Sequence, residues 1–460
     1  MSLMWSRYTN YAKFEGAKCI FHALNFCVVS VDVHIDPEPY KELTAEELSS
    51  LPSELIDILV FHKLLIKNAD VDQNELNDIL ERNKKIDMSN LILLISNDCN
   101  MDCSYCQIER NISGSKKKMS SEIVIATLQL FEKLCNRESS LTVNFTGGEP
   151  LINFSVIQEA VRFIRASDRL NNARLVIFTN GTLLDQTISE FLHENEFLVI
   201  VSLDGLESAH NLNRVFIDGS ATYRQVLNGY LTAKNAGCNC AISSVANFND
   251  SDFVDFLSWV IDLKPLSLGI NYPHHILGIN NEFDFNVYTR QILMAHSILE
   301  SNGISLENYE RFARTFKRKI VRRRECQACG RGITIDSNGN VGTCKSLLVS
   351  HKISYPLIGF DISKADEFEK WADRTPLVHE NCLDCPAISI CGGGCAYDAY
   401  CLFEGNALKM DRRMCNHITS IFFDLLEQQI CKVPTPIGSF YLFEPNKNNE
   451  GQSVFESVGH

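Results

Sequence analysis

The sequence predicts an α/β chain: a parallel sheet of six βα units that curls into a partial (β/α)6 barrel, preceded by a small α+β module and followed by a cysteine-rich domain. Two observations carry that prediction. Between Asn90 and Ile270, short apolar runs ended by polar residues alternate with segments of helical period. Near the other end, CLDCPAISICGGGCAYDAYC (Cys382 to Cys401) holds five cysteines in a chain of ordinary globular composition, 45% hydrophobic and 22% charged.

The elements follow in order. Residues 1–88 open with a β-like stretch, Cys19 to Val33, and then turn helical. Thr44-Ala-Glu-Glu47 has the form of a capping box, in which a hydroxyl and a carboxylate each satisfy an orphan backbone N–H, so a helix begins there. Pro52 starts a second helix, SELIDILVFHKLLI, and DQNELNDILERNKK reads as a third. The barrel, residues 89–283, has expected strands Leu91–Ile95, Leu141–Phe145, Leu175–Phe178, Leu198–Leu203, Ala241–Ala246 and Leu266–Ile270, each long enough to be buried on both faces. Between the first strands, Val124, Leu128, Phe131 and Cys135 step by helical intervals, as do Ile157, Val161 and Ile164 behind the capping pattern Ser155-x-x-Gln158. Right-handed crossovers bring every strand's C-terminal end to one rim, where such folds place their chemistry. Residues 284–325 form a helical bridge, 326–432 the cysteine-rich domain and 433–460 a tail that is polar beyond Pro445.

Composition restricts function. The N-terminus lacks a basic leader followed by an apolar run, and no segment approaches the ~18 apolar residues of a membrane helix, so a cytoplasmic protein without membrane contact is expected. Thiols stay reduced there, and 18 cysteines point to metal or catalysis before disulfides. A net charge of −14 repels a phosphate backbone and argues against nucleic acid.

Just past the first strand, CNMDCSYC offers Cys99, Cys103 and Cys106 and no fourth thiol. A structural zinc site wants four closed ligands, whereas a 4Fe-4S cluster on three cysteines leaves one iron open to bind something else. The second strand ends in Thr146 and then Gly147-Gly148-Glu149-Pro150, the third in TNGTLL and the fourth in SLDG, with His210 and Arg214 further on. Together these motifs resemble the radical S-adenosylmethionine superfamily, with Tyr105 at its usual aromatic position. The resemblance implies a partial TIM-like barrel in which Tyr105, Gly147, Gly148, Glu149, Asn180, Ser202 and Arg214 contact S-adenosylmethionine. The family often continues His-Asp where this chain has His210-Asn211, so no role follows for either.

The C-terminal cysteines resemble the SPASM domain that follows many radical enzymes. By that pattern one auxiliary 4Fe-4S cluster takes Cys329, Cys344 and Cys395 with Cys326 as fourth ligand, and the other takes Cys382, Cys385, Cys391 and Cys415. Zinc held by four cysteines is the alternative for this segment alone. Cys19, Cys27, Cys135, Cys238, Cys240, Cys401 and Cys431 remain without a site; Cys135, Cys238 and Cys240 read as buried packing residues. ARTFKRKIVRRR would put Arg314, Arg318 and Arg322 on one helical face, more readily a solvated face than a site, and Lys116 to Lys118 read as an exposed loop.

The resemblance implies a maturase of ribosomally made peptides, with a precursor peptide or protein as substrate, three 4Fe-4S clusters and a flavodoxin- or ferredoxin-like electron donor. No catalytic residue is assigned. The alternatives are an anaerobic sulfatase-maturing enzyme and a non-catalytic iron–sulfur carrier. Sulfatase-maturing relatives carry an Asp base where this chain has Lys345, which lowers that reading. The N-terminal module resembles elements that capture a leader peptide as an added strand.

Overall fold

The computed structural model describes residues 2–31, 35–82, 86–106, 117–136, 139–245, 250–273, 283–350, 353–431 and 440–442. Ala246, Lys116 and most of the expected tail lie outside them. Strands β1 (Met4–Trp5), β2 (Thr9–Phe14), β3 (Ala17–His22) and β4 (Val28–Val31) lead into helices α1 (Ala45–Ser49) and α2 (Ser53–Phe61), strand β5 (Leu65–Ile66) and helix α3 (Asp70–Arg82). The expected stretch Cys19–Val33 is thus two strands, folded back at Phe26, which adopts φ +60°. The capping box at Thr44 and Glu47 is present, on a helix of 5 residues. The second helix is shorter than expected. It stops at Phe61, Lys63 turns left-handed at φ +61°, and Leu65–Ile66 leaves to pair with β1.

The barrel strands are β6 (Asn90–Ser96), β7 (Thr142–Gly147), β8 (Arg174–Thr179), β9 (Leu198–Ser202), β10 (Asn239–Val245) and β11 (Ser267–Asn271). All neighbouring pairs are parallel. Helices α4 (Ser121–Leu134), α5 (Phe154–Ala166), α6 (Gln186–Glu194), α7 (Glu207–Asn213), α8 (Tyr223–Asn235) and α9 (Asp250–Leu263) connect them. Period-two burial sorts each strand: Leu175, Ile177, Val199, Val201 and Ile242 pack on the helices, while Val176, Leu198, Ile200 and Ala241 form a separate apolar cluster inside. Toward the rim that inner face turns polar, with Thr146, Ser202, Ser243 and Asn271. The capping pattern at Ser155 does not form, because α5 begins two residues earlier than it requires, at Phe154, after a 3₁₀ turn over Pro150–Asn153 capped by Glu149.

The expected bridge is two helices, α10 (Phe285–Ser301) and α11 (Glu307–Arg318), separated by Gly303 at φ +71° and strand β12 (Ser305–Leu306). α11 ends at Lys319, whose φ of +54° breaks the helical path. Arg314, Arg318 and Arg322 therefore share no helical face; the Arg322 amide instead donates to Ser389 O at 2.6 Å. Strands β13 (Gly332–Ile335), β14 (Asn340–Gly342) and β15 (Tyr355–Pro356) then extend the barrel sheet, β13 pairing in parallel with β6. Short helices α12 (Lys345–Val349), α13 (Asp366–Ala372), α14 (Glu380–Leu383), α15 (Ile388–Cys391) and α16 (Ala396–Leu402) carry the cysteines, and α17 (Cys415–Cys431) packs beside α10 and α11. The last described element, β16 (Phe440–Leu442), joins the N-terminal sheet. Among the described residues no helix is long and apolar enough to cross a membrane.

Candidate active site and auxiliary cysteine sites

A cavity of about 400 Å³ opens at the C-terminal rim of the barrel. Cys99, Cys103 and Cys106, from the loop after β6, line it together with Cys326, Cys344 and Cys395. Main-chain pairing fixes the first loop: the Asp102 amide donates to Val215 O at 2.7 Å and the Ser104 amide to Asn213 O at 2.9 Å. The glycines after β7 fix its start. A Cβ on Gly147 would lie 2.2 Å from Ser96 O, and one on Gly148 would lie 2.3 Å from Asp98 O. Both positions are thus closed by the cysteine loop's own backbone, which receives the Gly148 amide at 2.7 Å and the Glu149 amide at 2.9 Å.

Glu149, expected among the cofactor contacts, is fully buried and is not among the residues that line the cavity. Its carboxylate accepts from the Asn180 amide (2.7 Å), the Leu151 amide (3.0 Å) and the Thr179 hydroxyl (2.8 Å). Burial pushes its pKa up to about 7 against the pull of those donors. Glu149 thereby locks the end of β7 to the end of β8. The other expected contacts, Tyr105, Gly147, Gly148, Asn180, Ser202 and Arg214, all line the cavity. The Asn180 amide nitrogen donates to Asn100 Oδ1 at 2.8 Å and lies 3.8 Å from Cys99 Sγ.

Arg214 has a partner that sequence reasoning passed over. Asp204, inside the quoted SLDG, accepts from Arg214 Nε at 2.8 Å and from the Tyr105 hydroxyl, and its other oxygen accepts from the Val245 amide at 3.1 Å. Arg214 also sits 5.2 Å from the centre of the Tyr105 ring. Asp204 raises the Arg214 pKa against the cost of burial, and burial raises that of Tyr105. His210 is buried behind this group, bridging the Asp204 amide (3.3 Å) and Thr222 Oγ1 (3.1 Å), and burial lowers its pKa to about 4. It is a neutral brace.

The C-terminal cysteines fall into two sets. Cys326, Cys329, Cys344 and Cys395 share one small core with Trp371 and Tyr397. Within it the Cys326 thiol hydrogen-bonds Cys329 and holds the latter's pKa down, helped by Arg374. Cys382, Cys385, Cys391 and Cys415 line a second cavity of about 430 Å³. Arg374, which no motif marks, is the scaffold of the region: 1% exposed, it donates to the carbonyls of Gly393, Gly394, Ala407 and Lys409. Arg322, expected on a solvated face, lines the first cavity with Arg311 and Glu325, Arg311 pairing with Glu325 at 3.0 Å and Arg322 at 3.6 Å.

Of the remaining cysteines, Cys19, Cys27, Cys135, Cys238 and Cys240 are buried and Cys401 half-buried beside Tyr397; the side chain of Cys431 lies outside the described residues. The described cysteines form no disulfide. Among the described residues, no three His, Cys, Asp or Glu side chains converge as ligands of one metal ion do. Cys382, Cys385, Cys391 and Cys415 line one cavity and Cys326, Cys344 and Cys395 the other, and thiolate donors of this kind suit an iron–sulfur cluster.

The Radical SAM superfamily model matches residues 93–260. The chain is 26% identical to the radical SAM cyclopropyl synthase TigE of Paramaledivibacter caminithermalis, over 93% of this chain and 96% of that one. It is 25% identical to a cysteine-type anaerobic sulfatase-maturating enzyme of Clostridium perfringens, over 67% of this chain and 88% of the relative. Its fold is similar to that of Streptococcus suis SuiB bound to its precursor peptide SuiA, with a TM-score of 0.53 and 16% identity over 90% of this chain and 99% of SuiB. From the strand-end motifs, the cavity they line and these matches, residues 93–260 are a radical SAM domain, here with a partial-barrel fold, and a cysteine-rich segment follows it.

Proposed function

We propose that this protein is a radical SAM peptide maturase with one S-adenosylmethionine-binding cluster and two auxiliary clusters, which removes hydrogen from a precursor-peptide residue to install a cross-link or related modification. The observation that carries the reading is the first cavity, which the thiols of the strand-end triplet and three of the C-terminal cysteines line together. Cys99, Cys103 and Cys106 would hold the cofactor cluster; Cys326, Cys329, Cys344 and Cys395 one auxiliary cluster; Cys382, Cys385, Cys391 and Cys415 the other. When bound, the first cluster and S-adenosylmethionine supply reductive cleavage to a 5′-deoxyadenosyl radical.

The chain's own residues orient and enclose. Gly147 and Gly148 press the backbone of the cysteine loop into place, Asn180 and Ser202 present polar groups at the rim, and Asp204 holds Arg214 and Tyr105 as one unit. Arg214, still able to offer its remaining guanidinium N–H groups, suits a carboxylate. Tyr272, Arg311 and Tyr397 complete the wall and limit water. In this reading residues 1–88 recognise the peptide, 89–283 hold the cofactor, 326–432 hold the auxiliary clusters, and a flavodoxin- or ferredoxin-like protein delivers electrons.

The sulfatase-maturing reading has the matched relative in its favour, but that match leaves a third of this chain uncovered and Lys345 stands half-buried in the cavity lining where the relatives' base is expected. The test is anaerobic reconstitution with iron and sulfide, reduction with dithionite, and assay of 5′-deoxyadenosine, followed by mass spectrometry of short peptides encoded beside the gene. Release of 5′-deoxyadenosine with a mass change in one such peptide supports the reading. No 5′-deoxyadenosine from iron-loaded protein overturns it.

A further inference from the structure

The N-terminal sheet has the order β16-β4-β3-β2, so the outer edge of β4 is covered by the chain's own C-terminal segment. The pairing is antiparallel, with Phe440 opposite Val31, Tyr441 opposite Ser30 and Leu442 opposite Val29. On its other side β4 pairs with β3. Without β16 this edge would present a row of open N–H and C=O groups, the template on which an extended peptide adds. Val29 and Val31 point into the module's own core, with Trp5, Ile20, Leu55 and Leu59, so the edge is rigidly backed.

A strand of 3 residues contributes few ladder bonds and is marginal on its own. Helix α17 explains why it is there. Phe422 and Phe423 of that helix pack on Phe21 (centroids 5.3 and 6.3 Å apart) and Phe423 on Phe14 (6.5 Å), both on the same sheet. The helix ends at Cys431, and the residues between it and Phe440 can reach no further than about 30 Å. Strand addition is thus intramolecular, at an effective concentration on the order of millimolar. The run Ser439-Phe-Tyr-Leu-Phe443 supplies the aromatic residues that strands favour, and Pro434, Pro436 and Pro445 bracket it.

We propose that the C-terminal strand is a resident competitor for the strand-addition edge of β4, and that an incoming extended peptide binds by displacing it. The inference rests on the N-terminal module being a peptide-recognition element. The short pairing is what makes exchange possible: a precursor segment matched to all of β4 gains more ladder bonds than the strand it removes. The C-terminus then acts as a selectivity filter that weak peptides fail to pass.

The test uses a fluorescein-labelled synthetic peptide of residues 436–446, titrated by anisotropy against three proteins: the full chain, a chain ending at Lys432, and the full-length double variant Tyr441→Pro/Leu442→Pro. Neighbouring residues of an antiparallel strand point their amides in opposite directions, so one of the two prolines removes a bond to β4 whichever way the strand faces. The full chain should bind the peptide at least about tenfold more weakly than the other two. Amide exchange at Val29, Ser30 and Val31 should be slow in the full chain and accelerate in both variants. Equal binding by all three proteins, or no binding to a folded open-edge variant, overturns the proposal; where the truncated chain does not fold, the proline variant decides. No S-adenosylmethionine is present, so failure here leaves the maturase reading standing, and absence of peptide modification leaves the strand result standing.

Discussion

The two cysteine regions are built by different means. At the barrel rim, the triplet loop is positioned by main-chain hydrogen bonds to the end of α7 and from the residues that follow β7, and by two glycines on which an added Cβ would strike the backbone of Ser96 and Asp98. Apart from Cys415, which opens the long helix α17, the C-terminal sets sit among helices of 4 to 7 residues and turns, organised around one buried guanidinium that binds four carbonyls. The rim is therefore preorganised by its fold. The auxiliary region depends on Arg374 and, in the proposed reading, would depend on its metal as well, as expected where ligand binding supplies folding energy.

Arg374→Met should give the largest effect, because it strands four buried carbonyls and removes the positive charge beside Cys329 and Cys382. We expect a loss of about 3–5 kcal/mol and incomplete filling of both auxiliary sites, measured by thermal unfolding and iron analysis. Gly148→Ala should act on the rim alone. With Asp98 O only 2.3 Å from the new Cβ, the loop must move, and 5′-deoxyadenosine formation should fall about 100-fold with auxiliary iron unchanged. If Gly148→Ala also empties the auxiliary sites, the two regions are not independent.

A smaller effect concerns Glu149. Its folded pKa of about 7 lies above the ordinary value of 4.5, so the folded state holds the proton more tightly than the unfolded one. Stability from this group is complete below pH 4.5 and lost as pH rises through 7. Glu149→Gln cannot titrate, and the unreconstituted wild type should lose about 1–3 kcal/mol relative to it between those pH values, by urea unfolding. A constant difference would mean that Glu149 is ionised throughout. The smallest effect belongs to Cys326→Ala, which should alter the paramagnetic resonance signal of one auxiliary cluster and leave the other two signals in place; an unchanged spectrum makes Cys326 a bystander.

Much of this was legible in the sequence. The barrel strands announced themselves as apolar runs because both faces are covered, and the cysteine spacing marked the triplet and both C-terminal sets. Arg374 was not legible, since its partners lie roughly 20 to 35 residues downstream and no local period marks it. Asp204 was within reach, an acid in a quoted strand-end motif beside an arginine that needed a counter-charge. The hairpin of β2 and β3 was also missed, although Gly16, at φ +77° between two alternating runs, was its signal. Arg322 was misplaced because a basic run continues the helical pattern past Lys319, where a left-handed residue ends the helix.

The central claim is that the triplet and the C-terminal sets are separate cluster sites of different kinds. Iron counting of anaerobically reconstituted wild type and Cys99→Ala/Cys103→Ala/Cys106→Ala tests it most directly. The account predicts about twelve irons in the wild type and about eight in the triple variant, with 5′-deoxyadenosine formation abolished and the auxiliary spectra unchanged. Equal iron in the two proteins, or loss of all iron from the variant, would contradict it.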